Sequence, residues 1–172
     1  MSAIIASRGK AVIRNVYPNH LTIFTGKLLE MGAKIRLVEP YAMEVSADRK
    51  LEAMNFITQP YPGFPTDLQA LAMTLLSTAN GVSVVTESLY ENRFMHISEL
   101  WRMGANIMQS KNHAIIKGVE ALVGTSVQST DVRAGAALVV AAIMAKGESE
   151  VKKLHHIDRG YEKFTQKLQG LG

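Results

Sequence analysis

The chain repeats itself, and this limits its possible folds more than any single motif does. A Thr-Asp pair at the front of an apolar run, PTDLQALA with Thr66 and Asp67, returns as STDVRAGAA with Thr130 and Asp131, 64 residues later. Aligning on Gly9, Gly81 and Gly147 extends the likeness, because strand-like or mixed segments KAVIRNV, VSVVTES and ESEVKKL follow the three glycines. Each segment leads through a loop into a helix with apolar residues at helical spacing. These are Leu21, Phe24, Leu28 and Met31, then Ile97, Leu100 and Trp101, then Tyr161, Phe164, Leu168 and Leu171. The helices end at LLEMG, LWRMG and LQGLG, each with a glycine suited to the left-handed position after a helix. Past that glycine the first two copies continue alike. AKIRLV sets Ala33, Ile35 and Leu37 inward against Lys34 and Arg36 outward, and ANIMQ begins the same way. A tight turn at Glu39-Pro40 or Lys111-Asn112 then leads to a second strand, YAMEVS or HAIIK. A third short strand precedes each Thr-Asp helix, so the unit is strand–helix–strands–helix with a period of 64 to 72 residues.

The two Thr-Asp helices are expected from Asp67 to about Ala79 and from Asp131 to about Ala145. Both are apolar around most of their circumference, as suits helices surrounded by protein, and we expect them between layers formed by the sheets. The other helices carry one polar face: Lys27 and Glu30, Glu99 and Arg102, then Glu162, Lys163 and Lys167. The expected fold class is mixed α/β. No linker divides the chain, so residues 1–172 read as one domain or part of one. Both ends fall inside a repeat. SAIIASRG matches the helix tails TLLSTANG and AAIMAKG but lacks its own Thr-Asp start, and LQGLG stops where the earlier copies enter their strand pair. About two full repeats with truncated ends are expected, cut from something longer. Strands that have lost neighbours would leave open edges, fit to pair with the missing units or with a second copy.

Composition narrows the function classes. The chain has 172 residues, 47% of them hydrophobic, enough for a folded core. Its net charge of +4 is spread without basic runs, which suits anionic small molecules and argues weakly for nucleic acid. With no cysteine there is no disulfide, thiolate metal site or cysteine nucleophile. The longest apolar run, Ala134 to Ala145, is about half the length that spans a bilayer, and no apolar leader opens the chain. The expectation is a cytoplasmic protein acting on neither membrane nor nucleic acid.

Three arginines stand near helix starts. Arg93 and Arg159 lie twelve residues after Gly81 and Gly147, where the first copy has Leu21, so the fold unit does not require them. Arg133 opens an apolar helix where the other Thr-Asp helix has Gln69, and such an arginine must be paired or face a cleft. Each has a local acid available: Glu91 for Arg93, Asp131 for Arg133, Asp158 for Arg159. Three together on one edge also suit a shared site for phosphate or carboxylate. Asp67 and Asp131 have two readings as well. Thr is an accepted N-cap and a first-turn aspartate favours the helix dipole, while the stiff PYPGFP loop would hold Asp67 as a positioned base. The histidines lack metal-ligand spacing, and only His156, beside Asp158 and Arg159, is placed near a site.

PYPGFPTDLQA, TESLYENRFMHISELWRMGA, STDVRAGAALVVA and HHIDRGYEKF together resemble the UDP-N-acetylglucosamine 1-carboxyvinyltransferases, the enolpyruvyl transferases that open peptidoglycan precursor synthesis. The likeness runs in order over essentially the whole chain, and the shikimate-pathway enolpyruvyl transferases are more distant. The resemblance implies an inside-out α/β barrel of βαβαββ units, helices inside and sheets outside. It also implies transfer of enolpyruvyl from phosphoenolpyruvate to the 3-hydroxyl of UDP-N-acetylglucosamine, without an organic cofactor or metal, in support of cell-wall growth and division. By the same resemblance Asp67 contacts the attacking hydroxyl as candidate base, and the backbone at Leu89 contacts the UDP-sugar. Arg93, Arg133 and Arg159 would line the phosphoenolpyruvate side with Asp131 beside them; Asp67, Asp131 and Arg159 are the expected catalytic residues, and His156, by its position next to Asp158 and Arg159, is added to the substrate-binding ones. Val132 and Gly135 stand where these enzymes commonly have Leu and Ser, and Leu89 where Val is commoner. The amino-terminal Lys-Asn pair, the other domain and its lid loop have no counterpart here, so the chain corresponds to the C-terminal portion and is expected to be inactive alone. The alternatives are a non-catalytic remnant or binding module of the same fold, or a chain that needs a partner to complete the site.

Overall fold

A computed structural model of the protein describes residues 1–170, and its hydrogen bonding carries the repeat. In the first copy β1 (Lys10–Arg14), β2 (Lys34–Glu39) and β3 (Ala42–Ser46) form an antiparallel sheet in the order β1-β3-β2, with Lys10 opposite Ser46 and Ile35 opposite Val45. The copy ends on a two-residue strand, β4 (Phe56–Ile57), which leaves this sheet and runs parallel to β5 (Val82–Thr86) of the second copy. There β6 (Asn106–Ser110) and β7 (His113–Lys117) complete the order β4-β5-β7-β6. The exchange happens again: β8 (Ser126–Gln128) closes the second copy and pairs in parallel with β9 (Glu150–Lys152) of the third. Each copy lends its last strand to the next sheet, and the helix between supplies the crossover that a parallel pair needs. Among the described residues no such strand lies beside β1.

Those crossovers are α3 (Gln69–Leu76) and α5 (Val132–Met144), and with the short α1 (Ser2–Ala6) they pack on one another. All eight residues of α3 are buried, which accounts for its lack of a polar face. α5 is buried over Ala134–Leu138 and at Val140 and Ala141, but Ile143 is exposed, so this helix is not enclosed all round. The other class, α2 (Thr22–Glu30), α4 (Ile97–Arg102) and α6 (Phe164–Gln169), keeps an outer polar side. On it Lys27 pairs with Glu30 at 2.7 Å and Arg102 with Glu99 at 4.0 Å. The core joins Leu28 and Met31 of the first copy, Met73, Leu75 and Leu76 of α3, Leu100 and Met103 of the second copy, and Leu138 of α5. Val45, Val85 and Val127, one from each sheet, are fully buried. Side chains of this size contribute about 1.5–3 kcal/mol each on burial.

The expected helix stops are present at Gly32 (φ +95°) and Gly104 (φ +84°), a region where a side chain would be strained. Leu171 and Gly172, the last residues of the third stop, lie outside the described residues. Three expectations need correction. The first Thr-Asp helix begins as a 3-10 turn, Thr66–Leu68, and its α-helical part ends at Leu76 rather than near Ala79. Trp101 is not on the buried face with Ile97 and Leu100; half-exposed, it turns its indole N–H to the Ile107 carbonyl at 2.8 Å. Leu37 stays in register opposite the buried Met43 but is exposed rather than buried like Ala33, because β2 is the outermost strand of its sheet.

Candidate active site

The loop before Asp67 is anchored from two sides. Phe64 is buried between Phe56, stacked at 4.1 Å, and Phe24, edge-on at 6.1 Å. Two residues on, the Thr66 hydroxyl donates to Glu87 Oε2 at 2.8 Å. Among the described residues no side chain caps either the 3-10 turn or α3, so Thr66 is not an N-cap, while Asp67 lies in the first turn, as the helix-dipole reading has it. The second copy differs. Asp131, with extended backbone, is itself the N-cap of α5, its Oδ1 accepting from the amides of Arg133 (2.8 Å) and Ala134 (2.9 Å). Here the aspartate caps and Thr130 does not.

Freed from capping, Asp67 has a side chain 74% exposed, and its Oδ1 accepts from Arg133 Nη1 at 3.3 Å and Arg93 Nη1 at 3.5 Å. Arg133 also reaches Asp131 Oδ2 through Nη2 at 3.4 Å. Exposed ion pairs this long contribute little, roughly 0–1 kcal/mol. Among the described residues the two guanidinium groups have no other side-chain hydrogen-bond partners, and each carries five N–H donors of a kind suited to an anionic ligand. The local pairing considered for Arg93 with Glu91 is not made among the described residues; Arg93 turns instead to Asp67, 26 residues away. Its guanidinium lies 4.2 Å from the Tyr90 ring centroid, which restricts its approach. Leu89 donates its amide to Glu87 Oε1 at 2.9 Å.

Arg159 and His156 sit on a 3-10 turn, Leu154–Arg159, that packs on α5 through the buried Ile157. Gly135 makes this approach possible: a Cβ there would lie 2.6 Å from Ile157 Cγ1 and from Ser129 Oγ. Arg159 is exposed and forms no ion pair with Asp158 among the described residues, contrary to the local pairing considered for it. No hydrogen bond or ion pair joins Arg159 or His156 to Asp67, Arg93 or Arg133 among the described residues, and the His156 ring lies against His155 at 4.2 Å. The structure therefore gathers Asp67, Arg93, Arg133 and Asp131, with Leu89 on the adjoining loop, and leaves Arg159 and His156 on a neighbouring turn.

Four residues escaped sequence reasoning. Glu87 is buried with four hydrogen bonds at the end of β5, in a TES stretch that resembles any strand end. Tyr90 supports Arg93, and three-residue spacing on one loop was the available signal. Tyr161 lies near enough to Asp67 for its charge, after burial, to push the phenol pKa up. His96 is fully buried with Nε2 unpartnered by protein. Burial holds its pKa down to about 4, against the opposing charge of Asp131 and a hydrogen bond to the Arg93 backbone. Among the described residues no group of three or more His, Asp or Glu is placed to hold a metal ion. No described helix is long and apolar enough to cross a membrane.

Comparison with known proteins places the chain in a family. Residues 1–168 match the family described as EPSP synthase (3-phosphoshikimate 1-carboxyvinyltransferase). The chain is 51% identical over 173 aligned residues to UDP-N-acetylglucosamine 1-carboxyvinyltransferase 2 of Carboxydothermus hydrogenoformans, covering 100% of this chain and 41% of the relative. It is also 51% identical to UDP-N-acetylglucosamine 1-carboxyvinyltransferase of Thermotoga maritima, covering 99% and 40%. Among solved structures it resembles the enolpyruvyl transferase NikO from Streptomyces tendae with a TM-score of 0.87 at 22% identity, over 99% of this chain and 42% of that one. EPSP synthase from Acinetobacter baumannii gives a TM-score of 0.60 at 17% identity, over 88% and 36%. At those identities the structural likeness speaks for the fold alone. The chain spans about 40% of the length of the curated relatives it matches.

Proposed function

The chain belongs to the EPSP synthase family of carboxyvinyl transferases, and from that premise we propose that it forms one wall of the active cleft of a UDP-N-acetylglucosamine enolpyruvyl transferase. The reaction moves enolpyruvyl from phosphoenolpyruvate to the sugar 3-hydroxyl and releases phosphate, as a step in peptidoglycan precursor synthesis in the cytoplasm. One observation carries the reading: Asp67, exposed and free of capping, faces Arg93 and Arg133. The transfer needs a base for the hydroxyl proton and fixed positive charge for phosphate and carboxylate. Asp67 takes the first role, and Arg93, Arg133 and Arg159 the second, with Asp131 orienting Arg133 and His156 at the margin. With its amide committed to Glu87, Leu89 offers its carbonyl as an acceptor for a sugar hydroxyl. The reaction requires no organic cofactor or metal from these residues.

The sheets outside and the packed α1, α3 and α5 inside support an inside-out barrel of βαβαββ units. Residues 1–172 then form part of a C-terminal domain, and the unpaired edge of β1 is filled by the remaining domain or by a second copy. The chain alone is inactive, because it supplies one side of the cleft. Two or three charge-assisted hydrogen bonds of roughly 1.5–3 kcal/mol do little more than offset the cost of association, so affinity is on the order of millimolar or weaker. A remnant free of this chemistry would have no use for Asp67 facing two arginines. The test is twofold. Phosphate release by the isolated chain is expected to be undetectable, and turnover near that of a full-length relative would overturn the half-site reading. Titration with UDP-N-acetylglucosamine is expected to shift Asp67 and Leu89 resonances weakly, with the response lost in Asp67→Ala; a response unchanged by that substitution rules out the role of Asp67.

A further inference from the structure

We propose that Glu87 is a positioning residue that ties the two substrate-facing loops together and thereby leaves the Asp67 carboxylate free of capping. The inference deepens the reading above and rests on it. Glu87 is 2% exposed, and its two carboxylate oxygens divide their partners between the loops. Oε1 accepts from Thr58 Oγ1 (2.8 Å) and from the amides of Leu89 (2.9 Å) and Tyr90 (3.2 Å), while Oε2 accepts from Thr66 Oγ1 (2.8 Å). Four donors reach the group and both oxygens are hydrogen-bonded, which is how a buried carboxylate compensates for lost hydration. Its own backbone is fixed, since the Glu87 amide donates to Asn112 in the β6–β7 turn at 2.8 Å. Thr58 completes the tie. Its hydroxyl accepts from the Ser88 amide at 2.9 Å, and its carbonyl accepts from the Ser88 hydroxyl.

The repeat supplies the comparison that gives this network a purpose. Counting from Gly9, Gly81 and Gly147, the positions equivalent to Glu87 are Asn15 and Lys153, so the fold unit does not require an acid there. At the second Thr-Asp start, which Lys153 follows, Asp131 spends its carboxylate capping α5 through the amides of Arg133 and Ala134. At the first start, Glu87 holds Thr66, α3 begins through a 3-10 turn without a side-chain cap, and Asp67 is left facing Arg93 and Arg133. The same carboxylate holds the Tyr90 amide, and the Tyr90 ring underlies Arg93. One buried side chain thus sets Asp67, Leu89 and Arg93 relative to one another.

The test uses the full 172-residue chain, unsubstituted and as Glu87→Gln, Glu87→Ala and Thr66→Val, with amide hydrogen exchange and UDP-N-acetylglucosamine titration followed by NMR. In Glu87→Gln the amide oxygen keeps Leu89 and Tyr90, and its NH2 group donates to the Thr66 hydroxyl. Exchange at those amides is expected within about threefold of the unsubstituted chain, with the ligand response retained. In Glu87→Ala, Leu89 and Tyr90 are expected to exchange at least about tenfold faster, with faster exchange also at Leu68, whose amide bonds Pro65 across the Asp67 turn. Thr66→Val keeps Leu89 and Tyr90 protected while Leu68 loosens and the ligand response weakens, which carries the test if the alanine variant does not fold. Unchanged exchange at Leu68 in Thr66→Val, or a full ligand response there, overturns the proposal. No ligand response in the unsubstituted chain overturns the functional reading instead, and the exchange data then judge the tie separately.

Discussion

Asp67 and Asp131 open equivalent helices and are held by opposite means, which makes their substitutions diverge. Asp131 accepts two α5 amides, so Asp131→Ala is expected to cost about 0.5–2 kcal/mol of stability. Among the described residues Asp67 makes only long, exposed ion pairs, so Asp67→Ala is expected to cost less than about 1 kcal/mol while removing the ligand response. Urea unfolding of both variants checks the contrast, and equal losses would show that Asp67 serves the fold. His96 adds a pH dependence whose sign follows from its burial. Its pKa is held down to about 4 from the model-compound value of 6.5, so the unfolded chain takes up the proton first as pH falls. The stability linked to the neutral ring is present above pH 6.5 and lost between there and about 4, by roughly 3 kcal/mol at most. NMR titration of the folded chain is expected to show the His96 ring neutral at pH 5; a midpoint near 6.5 would remove this contribution.

At the scale of elements, the close packing of the Leu154–Arg159 turn on α5 depends on a missing side chain. A valine at Gly135 would drive its Cβ to within 2.6 Å of both Ile157 and Ser129. Gly135→Val is therefore expected to cost about 1–3 kcal/mol by overpacking and to displace the turn that bears His156 and Arg159. Urea unfolding gives the cost, and amide shifts over residues 154–160 report the displacement; a variant with neither change would mean that the turn is not seated on α5 as described. What the sequence made legible at this scale was local. Helical spacing and the closing glycines marked α2 and α4, and the Thr-Asp pairs marked α3 and α5, because those signals lie within a few residues of the elements they govern. The lending of β4 and β8 to the next copy was not legible, since a strand as short as Phe56–Ile57 has no periodicity to read and its partner lies across a helix. The site was legible as a set of residues, while its pairings were not. Arg93 had Glu91 close by in sequence and Asp67 only through the fold, and Glu87 betrays its burial by nothing in TES.

For the whole molecule the consequence lies along β1. In the second sheet β5 carries β4 beside Val85 and Thr86, and in the third β9 carries β8 beside Val151 and Lys152. Among the described residues the equivalent places on β1, Ile13 and Arg14, have a strand on the β3 side alone. Next to that bare edge runs an apolar groove of about 580 Å³, lined by Val12, Ile13, Phe24, Leu71, Val140 and Phe164 among others. An unpaired edge offers a row of backbone donors and acceptors to any extended chain, and an adjoining apolar surface adds a driving force for its side chains. Two copies of this chain each present the same edge, so an antiparallel pairing of β1 with β1 closes both at once. We expect concentration-dependent self-association in sedimentation velocity at tens of micromolar, on the order reached by weak edge pairing. Val12→Lys places a charge on the half-exposed face of β1 and is expected to shift the distribution toward monomer with the far-UV circular dichroism unchanged. A monomer at all concentrations would count against an accessible β1 edge, and association indifferent to Val12→Lys would place the contact elsewhere.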